Sequence, residues 1–278
     1  MWLIYALLTA CLWGTGQLFL KKGYARISPL WTAVIDLPIY LLIFVPFSLV
    51  KGASFDINPE DILLIFIVAT LTVAYYYGLA KGQLAVSGTL IAAYPIVTVI
   101  ASIMFLGEYI SPLQILAVGS VILGTVLISL NDKFRLGKNK SLIIWPIATA
   151  FILGISDFVA KIALNGVSVD TYNLWLPLIS IVSVSIFWSL DRKGRRWHKE
   201  KSSSSLWQTL IGVTMISLGF LFFNFALSLQ NASLVTPVSS IYAVLTVILS
   251  FVFLKEKINV PQRWGILLTL MGIFLIGH

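Results

Sequence analysis

Residues 94–108, YPIVTVIASIMFLGE, recur as residues 242–256, YAVLTVILSFVFLKE, and this repetition decides how the rest of the chain is read. At a constant offset Tyr94 matches Tyr242, Thr98 matches Thr246, Ser102 matches Ser250, Leu106 matches Leu254 and Glu108 matches Glu256. Further on, Gln114 matches Gln262 and Gly124 matches Gly272. Tyr, Thr and Ser stand four apart, so each copy carries one polar stripe on one face of an otherwise apolar helix. A repeat on this scale sets the architecture before any local detail does.

Working outward, the first apolar run holds Thr9, Trp13 and Gln17, again at intervals of four, and the sixth run echoes it. Thr149 matches Thr9, Gly154 matches Gly14, Asp157 matches Gln17 and Lys161 matches Lys21, so the repeat unit starts at Met1. The chain divides into a first unit at 1–130, a basic linker at 131–141 and a second unit at 142–278. The second and seventh runs share Leu-Pro pairs at Pro38 and Pro177, where either helix has reason to kink. Ser111-Pro112 and Asn259 before Pro261 are cap-like starts for the fifth and tenth. Tyr75, Tyr76 and Tyr77 stand opposite Phe223, Asn224 and Phe225 at the same offset.

With 59% hydrophobic and only 11% charged residues among 278, and a mean hydropathy of +0.96, the chain is far more apolar than a soluble domain, where about 25% are charged. Ten apolar runs of roughly 20 residues, each enough to cross about 30 Å of hydrocarbon as a helix, can be placed. They cover 2–20, 29–50, 61–80, 84–106, 111–130, 142–164, 171–190, 206–229, 232–254 and 259–277. The weak alternation of a transmembrane barrel is absent. The expected fold is an all-α integral membrane protein with ten transmembrane helices in two five-helix repeats. Five is odd, so the second unit enters the membrane inverted relative to the first. No basic stretch precedes the first run and no small-residue cleavage site stands out, so a retained helix is expected there.

Loop charge supports the inversion independently. Gly107, Tyr109 and Ile115 become Lys255, Lys257 and Arg263 in the second copy, and the acidic loop around Asp56, Glu60 and Asp61 becomes DRKGRRWHKEK at 191–201. Loops after odd-numbered runs hold nearly all the Lys and Arg, leaving Lys51 and Lys161 on the other side. By the positive-inside rule the side rich in Lys and Arg is cytoplasmic and both termini lie outside, in a multi-pass cell membrane protein. The net charge of +8 therefore reports topology, with acidic lipid headgroups as its partner and no nucleic acid.

Other chemistry is excluded by what the sequence lacks. Cys11 is alone, His198 and His278 are far apart, and neither a disulfide nor a metal site can be assembled. There is no phosphate-binding G-x-x-x-x-G-K-[ST] loop for ATP-driven transport. No paired acidic motif is present for a metal-dependent membrane transferase, Asp36 and Asp157 being lone carboxylates on separate runs. The chain reads as a non-enzyme without a cofactor. A lipid scramblase or scaffold is the alternative of another class.

Residues 84–114, LAVSGTLIAAYPIVTVIASIMFLGEYISPLQ, and 232–262, ASLVTPVSSIYAVLTVILSFVFLKEKINVPQ, with Leu12-Trp13-Gly14 near the start, resemble the EamA-type carriers of the drug/metabolite transporter superfamily. The resemblance spans essentially the whole chain. It implies alternating access around a site between inverted units near the bilayer midplane, and a small metabolite as substrate. An amino acid or amine, exported, leads; uptake of a sugar or quaternary amine is the alternative. Family members are commonly described with both termini cytoplasmic, opposite to the loop charges here.

Hydroxyls in hydrocarbon are costly unless they find partners. For Thr98, Ser102, Thr246 and Ser250 those partners are either a substrate cavity or interhelical packing bonds worth about 0.6 kcal/mol each; Tyr94 and Tyr242 point to a cavity. Trp13, Tyr75, Tyr76, Trp175 and Phe223 supply an aromatic wall able to hold a cation by its ring faces, and Asn224 completes the polar set. Asp157 is the sharpest candidate, as substrate-amine partner or proton site, against an ion pair with Lys161 one turn on. Asp36 is expected to pair with Lys22 or Arg26. Glu108 and Glu256 are expected to shape turns. Protons are the candidate coupling ion.

A cysteine placed at Ser203, with Cys11 removed, is expected to resist an impermeant thiol reagent in intact cells; ready labelling from outside reverses the orientation.

Overall fold

The computed structural model describes residues 1–23, 27–81, 91, 93–129, 141–196, 203–254 and 258–276. Its helices are α1 (Trp2–Gly23), α2 (Pro29–Val50), α3 (Pro59–Lys81), α4 (Pro95–Leu106), α5 (Pro112–Ser129), α6 (Ser141–Gly166), α7 (Val169–Leu190), α8 (Ser203–Leu229), α9 (Ala232–Ser239), α10 (Tyr242–Leu254) and α11 (Val260–Ile276). Among the described residues there is no strand. Seven stretches are long and apolar enough to cross a membrane, and α4, α5 and α11 are shorter apolar helices. The basic linker and the start of the fourth run lie outside the described residues.

Local chemistry explains the boundaries. Ser28 and Ser168 cap α2 and α7 by accepting from the amides of Trp31 and Thr171. At α5 Gln114 accepts from Ser111 N at 2.9 Å while Ser111 Oγ accepts from Gln114 N at 3.3 Å. At α11 Asn259 and Gln262 repeat the same reciprocal box at 2.9 and 3.1 Å. The matched glutamines are thus helix caps. Gly107 ends α4 with φ of 64°, the left-handed conformation open to glycine.

One expectation is corrected. The ninth run, read as a continuous helix over 232–254, is two helices, α9 and α10. At the break Ile241 N donates to Val238 O and Ala243 N to Ser240 O, tight turns that interrupt the helical ladder, while Ser240 Oγ donates to Pro237 O. The first copy tightens at the equivalent point, with Tyr94 N on Ile91 O and Val97 N on Tyr94 O. Hydropathy cannot see such a break, because both halves are equally apolar. The break between α9 and α10 sits just before the repeated Tyr242.

The helices pair by a rule that survives exchange of the two units. α1 packs on α8 as α6 packs on α3; α2 packs on α8 as α7 packs on α3; α1 packs on α10 as α6 packs on α4. α2 meets its counterpart α7, and α5 meets its counterpart α11. Gly23, ending α1, meets Thr209 near the start of α8, whereas Lys161 near the end of α6 reaches Leu227 and Gln230 at the end of α8. α1 and α6 therefore run in opposite directions, which is the inverted repeat.

Glycines let backbones close on one another. A Cβ on Gly14 would lie 3.1 Å from Tyr242 O, and one on Gly154 would lie 2.7 Å from Tyr94 O, so the two contacts are images of each other. Gly124 faces Gly265 O at 2.6 Å, and its counterpart Gly272 faces Ala117 O, also at 2.6 Å. Close small-residue contact of this kind drives association where lipid removes the hydrophobic force between helices. Most described hydroxyls in the spans bond back one turn, as Thr70, Thr72, Thr125, Ser180, Thr214 and Thr269 do, which lets polar side chains sit in hydrocarbon. Ile100, Met104, Phe105, Leu123, Leu267 and Phe274 are exposed, as a lipid-facing belt requires.

Gly124→Ala, set against backbone that cannot move aside, is expected to cost about 1–3 kcal/mol. Gly119→Ala, with open space around it, stays within about 0.5 kcal/mol. Thermal unfolding of the purified protein in detergent ranks the two.

Candidate functional site

Six side chains from both units meet next to the broken helices. Gln17 of α1 donates from Nε2 to the Tyr75 hydroxyl at 3.4 Å and is hydrogen-bonded to Tyr242. Asp157 of α6 lies within electrostatic range of the Tyr94, Tyr172 and Tyr242 hydroxyls. Tyr94 is itself in range of Tyr75 and Tyr242. Its hydroxyl donates to Thr236 O of α9 at 3.4 Å. Tyr94, Asp157, Tyr172 and Tyr242 are all buried, and Asp157 Oδ2 has no hydrogen-bond partner. A buried carboxylate oxygen facing tyrosines and no described cation is an acceptor in want of a donor.

Trp13 forms one wall. Its indole N–H donates to Ile216 O at 3.2 Å, and its ring meets Phe220, Phe223 and Tyr242 with centroids 5.0, 5.1 and 6.0 Å apart. That is an aromatic surface built by α1, α8 and α10.

The remaining candidates are placed elsewhere. Thr98 Oγ1 donates to Gly154 O at 3.0 Å and Thr246 Oγ1 to Gly14 O at 3.4 Å. These image-related bonds across the unit boundary are packing bonds, the second of the two readings that the stripe left open. Ser102 Oγ is buried without a partner; the side chain of Ser250 lies outside the described residues. Asn224 Nδ2 donates to Asn173 Oδ1 at 2.7 Å, a buried amide pair between α8 and α7. Tyr76 donates to Asp36 Oδ2 at 2.8 Å. Trp175 Nε1, on α7, is buried without a partner.

One charge alternative is not realised, and one expectation rests on residues outside the described ones. Lys161 does not pair with Asp157: its ammonium donates to Leu227 O at 2.7 Å and Gln230 O at 3.0 Å. The open carbonyls at the end of α8 accept these bonds, and the partial negative charge of a helix C-terminus favours the ammonium there. Asp36 is held by the hydroxyls of Tyr76 and Ser217; Arg26 and the Lys22 side chain lie outside the described residues. Glu108 accepts from the amides of Ala232 and Ser233, both at 2.9 Å, and so caps α9 as its turn role required. Glu256 lies outside the described residues. Tyr172, Asn173 and Thr236 escaped the sequence reading. Tyr172 and Asn173 sit in a polar stretch, SVDTYN, that looks like helix-cap chemistry, and Thr236 contributes only its backbone.

Against known families, the EamA-like transporter model matches residues 1–130 and again 140–277. The chain belongs to the EamA-like transporter family. It is thus a multi-pass membrane protein of a family that transports small substrates, and the helical repeat described above is the family's paired bundle. An uncharacterized protein of Methanocaldococcus jannaschii is 31% identical over 141 residues, covering 49% of this chain and 95% of that protein. The relative is therefore about half as long, near the span of one unit. One solved crystal structure of a protein superposes with a TM-score of 0.80 at 14% identity, covering 99% of this chain and 98% of that one, which supports the fold.

In this EamA-like protein the end of α6 is tied to α8 and α4, not to the acid one turn back. Glu108→Gln and Lys161→Met, which are within electrostatic range of each other, are expected to destabilise non-additively by about 0.5 kcal/mol or more. Asp157→Asn and Lys161→Met are expected to add within about 0.5 kcal/mol. Double-mutant unfolding cycles read both.

Proposed function

We propose that the protein is an alternating-access carrier that moves a small amine-bearing metabolite, an amino acid or simple amine, outward across the cell membrane. The observation that carries this reading is Asp157: a buried acid with a free oxygen, at the unit boundary, at the position where the first unit has Gln17. A substrate ammonium supplies the missing donor and the missing counter-charge together. Tyr94 and Tyr242, beside the broken helices, offer neutral hydroxyls, and Trp13 with Tyr75 offers ring faces to the substrate body. The units meet through image-related contacts, so rocking one against the other exposes this volume to each side in turn. The basic loops face the cytoplasm and the termini the exterior.

The test is counterflow in proteoliposomes of the full chain, with a panel of isotope-labelled amino acids, primary amines, quaternary amines and sugars. Exchange of an amine by the wild type and its loss by at least tenfold in Asp157→Asn, with the variant still folded in the membrane, is the expected outcome. Exchange of sugars alone, or normal amine exchange by the variant, refutes the role of Asp157. Movement of lipid without exchange of any solute makes the protein a scramblase instead.

A further inference from the structure

A second acid, half-buried, is bonded elsewhere in the bundle. Asp36, two turns into α2, accepts from Ser217 Oγ of α8 at 2.6 Å on one oxygen and from Tyr76 of α3 at 2.8 Å on the other. Among the described residues, every group that meets it is neutral. From α3 it is Tyr76, from α8 Ser217, from its own helix Tyr40; Tyr40 in turn is within electrostatic range of Tyr172 of α7. No described cation touches this carboxylate. Tyr172 is also within range of Asp157. Tyr40 and Tyr172, 7% and 0% exposed, are thus buried near Asp36 and Asp157 respectively. Asp36 itself keeps part of its surface accessible.

A carboxylate in a membrane bundle with two hydroxyl donors and no cation among the described residues has its lone pairs partly satisfied and its charge uncompensated by any of them. The species that relieves this is a small cation, and with only two neutral donors fixed around it the site lacks the six or more oxygens that a hydrated metal ion would demand. We infer that Asp36 is a proton-binding site separate from Asp157 and that it takes up the coupling proton, while Asp157 holds the substrate amine; this rests on the reading of Asp157 above. The proton arrives from water and adds to a carboxylate oxygen, so no bond is broken and no further reactant is needed. Its arrival removes one negative charge from α2 and weakens the charge-assisted bonds that tie α2 to α3 in its own unit and to α8 in the other.

Two measurements on the full chain decide this. The first uses the proton alone: pH-difference infrared spectroscopy of the protein in lipid nanodiscs, following the carboxylic-acid carbonyl band. That band is expected to vanish in Asp36→Asn and to persist in Asp157→Asn. Ser217→Ala, which removes one donor from the charged form, is expected to move the titration upward by about one pH unit. A band unchanged in Asp36→Asn overturns the assignment. If Asp36→Asn fails to fold, an unmoved titration in Ser217→Ala overturns it instead. The second uses the labelled amine panel with an imposed pH gradient. Asp36→Asn is expected to keep equilibrium exchange and to lose gradient-driven accumulation by tenfold or more; retained accumulation refutes coupling at Asp36. A wild type that exchanges no amine defeats the reading of Asp157, while the infrared result still judges Asp36.

Discussion

Gly14 and Gly154 bring α1 and α6 against the backbone carbonyls of Tyr242 and Tyr94, and the centre of the molecule follows from those two approaches. With a side chain at either position the helices would stand further apart, and neither Thr98 nor Thr246 would reach the opposing glycine carbonyl. The same closeness places Gln17, one turn beyond Gly14, at the hydroxyls of Tyr75 and Tyr242. It also sets Asp157, one turn beyond Gly154, among tyrosines. Packing glycines and polar site residues thus alternate along one helix face in both units.

Hydrocarbon makes this arrangement selective about which polar groups it leaves open. The bilayer core offers no water to complete an unfinished hydrogen bond, so backbone and side-chain groups must be satisfied within the protein. Most threonines and several serines achieve this by returning to the preceding turn, Lys161 and Glu108 by serving free helix ends, and Asn224 by pairing with Asn173. The buried Ser48, Ser102, Ser233 and Ser239 hydroxyls do not. Against that background the unpaired atoms of Asp157, Tyr172, Asn173 and Trp175 stand out, three of these residues being neighbours at the start of α7. Apolar packing explains none of them, since each is a strong donor or acceptor.

The fold was legible because the signals behind it are long. Spans are set by runs of apolar residues, inversion by an odd span count and opposite loop charge, and caps by short-range chemistry such as Ser111 with Gln114. The break between α9 and α10 was not legible, because Pro237 lies in a segment whose hydropathy does not change across it. The site was legible only in part. Symmetry between the copies drew attention to Tyr94, Tyr242, Gln17 and Asp157, which the fold brings together. It could not say that Lys161 turns from Asp157 toward α8, or that Asp36 meets Ser217, 181 residues away in sequence. Those contacts depend on how helices from different units cross, and no local pattern encodes a crossing.

Where the two units differ matters as much as where they agree. In an inverted repeat with identical halves, the states open to either side are images of each other and equal in energy. Asp157 stands where the first unit has Gln17, and Asp36 where the second has Trp175, so each unit carries one acid that its image lacks. Under the alternating access proposed above, exchange of the two conformations changes the surroundings of each acid. A ligand biases such an equilibrium only through different affinity for the two states. Two unmatched acids, one with a hydroxyl donor on each oxygen and one with an open oxygen, provide that difference at two separate points in the proposed carrier.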